Sequence, residues 1–123
     1  MLIKDLFKLS EIESKDGKLT SAVTFNAAHK IFAGHFPGNP VTPGVIQIQV
    51  VKEILEKFYG KELKLETMSR CKFLKLLNPN ETPCVTVELS FAENPLHVSA
   101  IGMKGEAIYF KLNAVFSDGL ATN

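Results

Sequence analysis

Two hydrophobic periods divide the chain. From Leu63 onward apolar and polar positions alternate almost throughout. Leu63 and Leu65 alternate with Lys64 and Glu66, in a stretch that continues through Met68 to Leu77. Val85, Val87, Leu89 and Phe91 alternate with Thr86, Glu88, Ser90 and Ala92. Leu96, Val98 and Ala100 alternate with His97 and Ser99, and Ile108, Phe110, Leu112, Ala114 and Phe116 with Tyr109, Lys111, Asn113 and Ser117. A period of two sends successive side chains to opposite faces, so each stretch reads as a strand with one buried face. Turn residues separate them: Asn78-Pro79-Asn80-Glu81, Asn94-Pro95 and Lys104-Gly105. Long strands joined by short turns predict an antiparallel meander.

The other period belongs to residues 43–59. Val45, Ile48, Val51, Ile54, Leu55 and Phe58 recur at helical steps, and Ile46 and Val50 widen the apolar arc. Thr42 suits the N-cap, Pro43 the first helical position and Gly60 the position after the end. Lys52, Glu53, Glu56 and Lys57 form a narrower polar side. Gln47 falls inside the apolar arc, where a buried amide needs partners; site contact and structural satisfaction both remain open. Upstream, residues 6–15 read as a strand, Asp16-Gly17 as a tight turn, and Leu19, Ser21, Val23 and Phe25 as one face of a second strand, giving a hairpin. The expectation is a single α+β domain over residues 1–123, an antiparallel sheet of about six strands wrapped around one long central helix. A helix so widely apolar, with sheet edges to blunt, predicts a dimer.

Between the second strand and the helix lies the stretch Ala33-Gly34-His35-Phe36-Pro37-Gly38-Asn39-Pro40-Val41-Thr42-Pro43-Gly44-Val45. Proline and glycine fix its bends, and it delivers His35 to a set place before a helix N-terminus. A long loop of this kind inside a compact domain is usually functional.

Composition narrows the classes. With 123 residues, 46% hydrophobic, 22% charged and a formal net charge of +1, the chain can fill a core and lacks the basic excess of a nucleic-acid binder. No apolar run approaches the roughly 20 residues that span a bilayer, so no membrane span is expected. Met1-Leu2-Ile3-Lys4-Asp5 lacks the layout of a signal peptide. Cys71 and Cys84 belong to no ligand or CxxC pattern, and they read as small hydrophobes of a cytoplasmic protein. His29, His35 and His97 are scattered without Cys or Asp companions at ligand spacing, so no metal and no cofactor is expected.

The element order and the string His35-Phe36-Pro37-Gly38-Asn39-Pro40-Val41-Thr42-Pro43-Gly44-Val45 resemble the β-hydroxyacyl-acyl carrier protein dehydratases, which have the hotdog fold. The later Lys72-Phe73 and Asn78-Pro79 also resemble that family's strand after the helix. The resemblance implies a lyase that eliminates water from a 3-hydroxyacyl thioester to give a trans-2-enoyl thioester, in fatty-acid or related polyene biosynthesis. It implies His35 as the base that removes the proton beside the thioester carbonyl, and the Gly44 N–H, with Val45, as oxyanion donor. Phe36, Pro43, Val45 and Glu53 would contact substrate. A base near its neutral range and a helix N-terminus suit those tasks. The family places a Glu or Asp on the central helix as the acid; here that position is Gln49, whose amide holds a hydroxyl but delivers no proton. Glu53, one turn further on the same face, is one alternative acid, acting at longer reach directly or through water.

The alternative is a partner subunit or acyl-thioester-binding module paired with a complete dehydratase; a thioesterase is a third class, though one that usually needs a carboxylate. Implied partners are the acyl thioester, its acyl carrier protein, and a second subunit in a homodimer, in a heterodimer with a paralogue, or in a higher oligomer. Arg70, Lys72 and Lys75 form a basic cluster that reads either as a docking patch for the acidic carrier protein or as a solvated strand face. Phe25, Phe32, Phe36 and Phe73 suit an acyl tunnel or the core.

Overall fold

A computed structural model of the chain describes residues 6–26, 28–29, 42, 44–79, 81–93 and 95–118. In chain order the elements are β1 (Phe7–Leu9), β2 (Glu13–Lys15), β3 (Lys18–Phe25), α1 (Gly44–Tyr59), β4 (Leu63–Phe73), β5 (Cys84–Ala92), β6 (Leu96–Lys104) and β7 (Ala107–Asp118). All pair antiparallel in one seven-stranded sheet ordered β1-β3-β5-β6-β7-β4, with β2 also on β3.

The alternation predicts about six strands; among the described residues there are seven, because residues 6–15 form two. Ser10 makes the break. Its backbone N–H donates to the Ala22 carbonyl at 2.8 Å, while its hydroxyl accepts the Ala22 N–H at 2.8 Å. A side chain thus replaces a backbone rung. Downstream, Asp16 (φ 53°) and Gly17 (φ 76°) form the two-residue turn that closes β2 on β3, the positive φ pair that a hairpin's twist favours.

The crossover through α1 takes the chain from β3 to the opposite edge, where among the described residues β4 pairs with β7 alone. The core lies between the helix and one sheet face. Val23, Val87, Leu89, Phe110, Leu112 and Phe116 come from the strands, and Ile46, Val50, Val51, Ile54 and Leu55 from α1. One sheet face covers about one side of a helix. The apolar arc is accordingly narrower than its sequence suggested: Val45 is 70% exposed and Phe58 40%. Phe58 packs edge-on against Tyr59 and Phe91.

Both helix ends are fixed locally. Gly60, at φ 70°, donates its N–H to the Glu56 carbonyl at 2.8 Å, as a left-handed residue closing a helix does. The Glu56 carboxylate accepts the Leu63 N–H at 2.9 Å and ties the helix to β4. At the other end Thr42 does not cap through its hydroxyl, which is buried without a hydrogen-bond partner. Gln47 reaches back instead, its Nε2 donating to the Thr42 carbonyl at 3.1 Å. Among the described residues no helix is long and apolar enough to cross a membrane.

Candidate functional site

Val45, Gln49 and Glu53 lie one turn apart along the side of α1 that the sheet does not cover. Gln49 Nε2 donates to Glu53 Oε2 at 3.0 Å. Gly44 opens this side of the helix. Its amide sits in the first turn, where N–H groups have no partner within the helix and the dipole favours negative charge. A Cβ on Gly44 would stand 2.6 Å from Phe73 Cζ. The close approach that this glycine permits is therefore that of the Phe73 ring, from the last residue of β4.

The entry to the helix is held from two sides. Thr42 donates its N–H to the Leu77 carbonyl at 2.7 Å, and Gln47 grips the Thr42 carbonyl. Gln47 is thus bound structurally by one end of its amide. Its Oε1 is buried with no partner, as is the Thr42 hydroxyl. His35, Phe36 and Pro43 lie outside the described residues, with most of the loop that carries them.

The basic cluster divides. In β4 the register skips between Leu65 and Thr67 and again between Met68 and Arg70. After the second skip Arg70 stands opposite Asn113 and Lys72 opposite Lys111, while Cys71 stands opposite the buried Leu112. Arg70 and Lys72 therefore point away from the core, on the sheet face opposite α1. They line a cavity of ≈ 230 Å³ with Leu74, Lys111 and Asn113. Lys75 is not part of it; its Nζ lies 5.8 Å from the Tyr109 ring centroid. The sequence offered Lys111 and Asn113 only as outward positions of an alternating strand, so their union with Arg70 and Lys72 needed the register. Cys71 faces inward, and burial pushes its thiol pKa up, which makes it a poor nucleophile.

Among the described residues an antiparallel sheet carries one helix on its core side, the hotdog arrangement, and solved structures share it. They include the dehydratase heterocomplex ApeI:P from Xenorhabdus doucetiae (TM-score 0.70, 17% identity, 89% of this chain and 96% of that one). A putative thioesterase from Shewanella oneidensis also matches (TM-score 0.57, 7% identity, 93% and 83%). The ApeI-like family model, described as ApeI dehydratase, matches residues 11–109. The chain belongs to that family. Among relatives, the 3-hydroxyacyl-[acyl-carrier-protein] dehydratase FabZ of Clostridium acetobutylicum is 31% identical over 80 residues, covering 59% of this chain and 55% of its own. That of Lactiplantibacillus plantarum is 36% identical over 78 residues, covering 58% and 52%. The chain spans about half the length of these relatives.

Proposed function

We propose that the chain is a 3-hydroxyacyl-thioester dehydratase-type lyase, residues 1–123 forming one hotdog unit that works as a dimer on acyl carrier protein substrates of fatty-acid or related polyene synthesis. The observation that carries this reading is the Gln49–Glu53 hydrogen bond of 3.0 Å on the open side of α1, in the helix that Gly44 starts. In the proposed reaction His35 takes the proton from the carbon beside the thioester carbonyl. The Gly44 N–H stabilises the oxygen on which charge develops, as a helix N-terminus does. The bond to the hydroxyl breaks, and the leaving group takes a proton from the Glu53 carboxylic acid to depart as water. Gln49 holds that hydroxyl between the two. The carbon–carbon double bond forms from the electrons of the broken C–H bond, and solvent resets His35 and Glu53.

A second reading has its own support. Gln49 stands where the family's acid is expected, and a structural neighbour is a dehydratase heterocomplex. Here the chain is a partner subunit whose shared site takes its carboxylate from a complete paralogue.

The assay is dehydration of a 3-hydroxyacyl carrier-protein thioester by purified protein. Turnover that His35→Ala and Glu53→Gln each abolish supports the first reading. Inactivity alone, with activity on mixing with a paralogue or after Gln49→Glu, supports the second. Absence of turnover in every arm sinks both.

A further inference from the structure

We propose that the outer face of the sheet carries a binding site for a phosphate group, held by Arg70, Lys72, Lys111 and Asn113. This site lies across the sheet from α1, and it does not rest on the dehydratase reading.

The first argument is the cost of the arrangement. Lys72 is directly opposite Lys111 in the β4–β7 register, with Arg70 one step along the same face. Like charges facing each other across strands destabilise a sheet. Three lysines elsewhere do pair with acids: Lys18 with Glu88, Lys52 with Glu56 and Lys61 with Asp118. Among the described residues no carboxylate pairs with Arg70, Lys72 or Lys111. A chain of net charge +1 thus gathers three unpaired cations around one cavity of ≈ 230 Å³.

The second argument is placement. The β4 register skips twice, at Glu66 and at Ser69, and the two skips cancel, so Arg70 and Lys72 stand outward opposite Asn113 and Lys111 while Cys71 stands opposite the buried Leu112. The three cations and the Asn113 amide therefore share one face.

The third argument is donor chemistry. Ser99 Oγ donates to Asn113 Oδ1, which fixes the amide and leaves its NH₂ as donor. Arg70, Lys72 and Lys111 can only donate. A cavity whose polar groups all donate from separate directions suits a tetrahedral oxyanion, and the guanidinium fork matches phosphate oxygens in pairs. Two sources carry that group: free phosphate, and the phosphate of a phosphopantetheine arm.

The test is calorimetric titration of the full chain with inorganic phosphate against chloride at equal ionic strength. Saturable binding is expected, weakened roughly tenfold or more by Lys111→Gln through loss of one charge-assisted contact. Lys104→Gln, at an exposed position outside the cavity, should bind as wild type does. Melting temperatures give a second reading. In chloride, Lys111→Gln should melt no lower than wild type, because Lys72 is relieved of its neighbour; in phosphate the order should reverse. Tighter binding of 4′-phosphopantetheine than of inorganic phosphate assigns the site to a carrier arm, and equal binding assigns it to free phosphate; both support the site. No saturable heat with no reversal, or unchanged phosphate binding in Lys72→Gln/Lys111→Gln, overturns it.

Discussion

The Gln49 amide donates to the Glu53 carboxylate across 3.0 Å, joining two adjacent turns on the open side of α1. The order of the two groups is what matters for chemistry. The carboxylate lies on the turn further from Gly44, the amide on the nearer one. Exchanging them by Gln49→Glu with Glu53→Gln keeps one amide–carboxylate bond and moves the charge about one turn, ~5.4 Å, toward the helix start. The melting temperature should hold, since the pair is conserved. Dehydration should rise by roughly tenfold or more, because proton delivery by a placed acid is worth about 10²–10⁴-fold. The single change Gln49→Glu faces two carboxylates at i and i+4 and should cost about 0.2–0.5 kcal/mol. Unchanged turnover in the exchanged protein would show that the position of the carboxylate does not limit the reaction.

Two glycines touch phenylalanine rings, and their surroundings separate them. A Cβ on Gly102 would stand 2.1 Å from Phe110, a ring only 1% exposed. That ring has nowhere to go, so Gly102→Ala should cost the full ~1–3 kcal/mol of overpacking or more. Gly44→Ala presses on Phe73, which is 46% exposed and can swing outward. Alanine also favours the helix by about 1 kcal/mol over glycine, so the net should lie within ~1 kcal/mol of zero. Denaturant midpoints of the two variants would check the difference. Phe110→Leu should recover part of the Gly102→Ala loss, and Phe73→Leu none of it.

The long regular elements were legible because their periods are clean. Val85 to Phe91 alternate without error, Phe110 to Phe116 with Val115 as the one apolar outward residue, and the structure buries the expected side of each. The start of β4 was not legible to its end, since Glu66-Thr67-Met68-Ser69 has no apolar beat to mark a skipped residue. Two bulges sit there, and because they cancel, Arg70 and Lys72 face the side that unbroken alternation from Leu65 would give them. Gln47 was flagged by its place in the apolar arc. Its bond to the Thr42 carbonyl, and the idle Thr42 hydroxyl, depend on the path by which the chain enters the helix, which periodicity does not encode. Of the candidate site, the Val45, Gln49 and Glu53 stripe followed from helical spacing; the Phe73 ring over Gly44 is a long-range contact that spacing cannot foresee.

Thr42 offers a stability test. Its side chain is 1% exposed and its hydroxyl makes no hydrogen bond. Thr42→Val keeps the shape and removes a desolvated polar group, so it should stabilise the fold by about 1 kcal/mol. The backbone bonds to Leu77 and Gln47 do not involve the hydroxyl and should survive. A loss of stability in Thr42→Val would mean the hydroxyl has a partner in solution. A gain in stability with a loss of turnover would assign the hydroxyl to substrate.

Tyr59 predicts the response to alkali. Its hydroxyl donates to Glu93 Oε2 at 2.6 Å at the end of α1. Burial of the ring, then the bond to and the charge of Glu93, all push its pKa up from the ordinary 10.0. The sign follows from which state ionises first. Below pH 10.0 the phenol is protonated in both states, and its contribution to stability is fully present. Above that value the unfolded chain releases its proton while the folded chain retains it, so the contribution is lost progressively as pH rises toward the folded pKa. Wild-type stability should therefore decline above pH 10.0 more steeply than that of Tyr59→Phe. At neutral pH the variant should be weaker by less than about 1 kcal/mol, since the bond it loses is solvent-exposed. Urea midpoints from neutral pH upward would measure both slopes, and parallel curves would show that Tyr59 keeps its ordinary pKa in the fold.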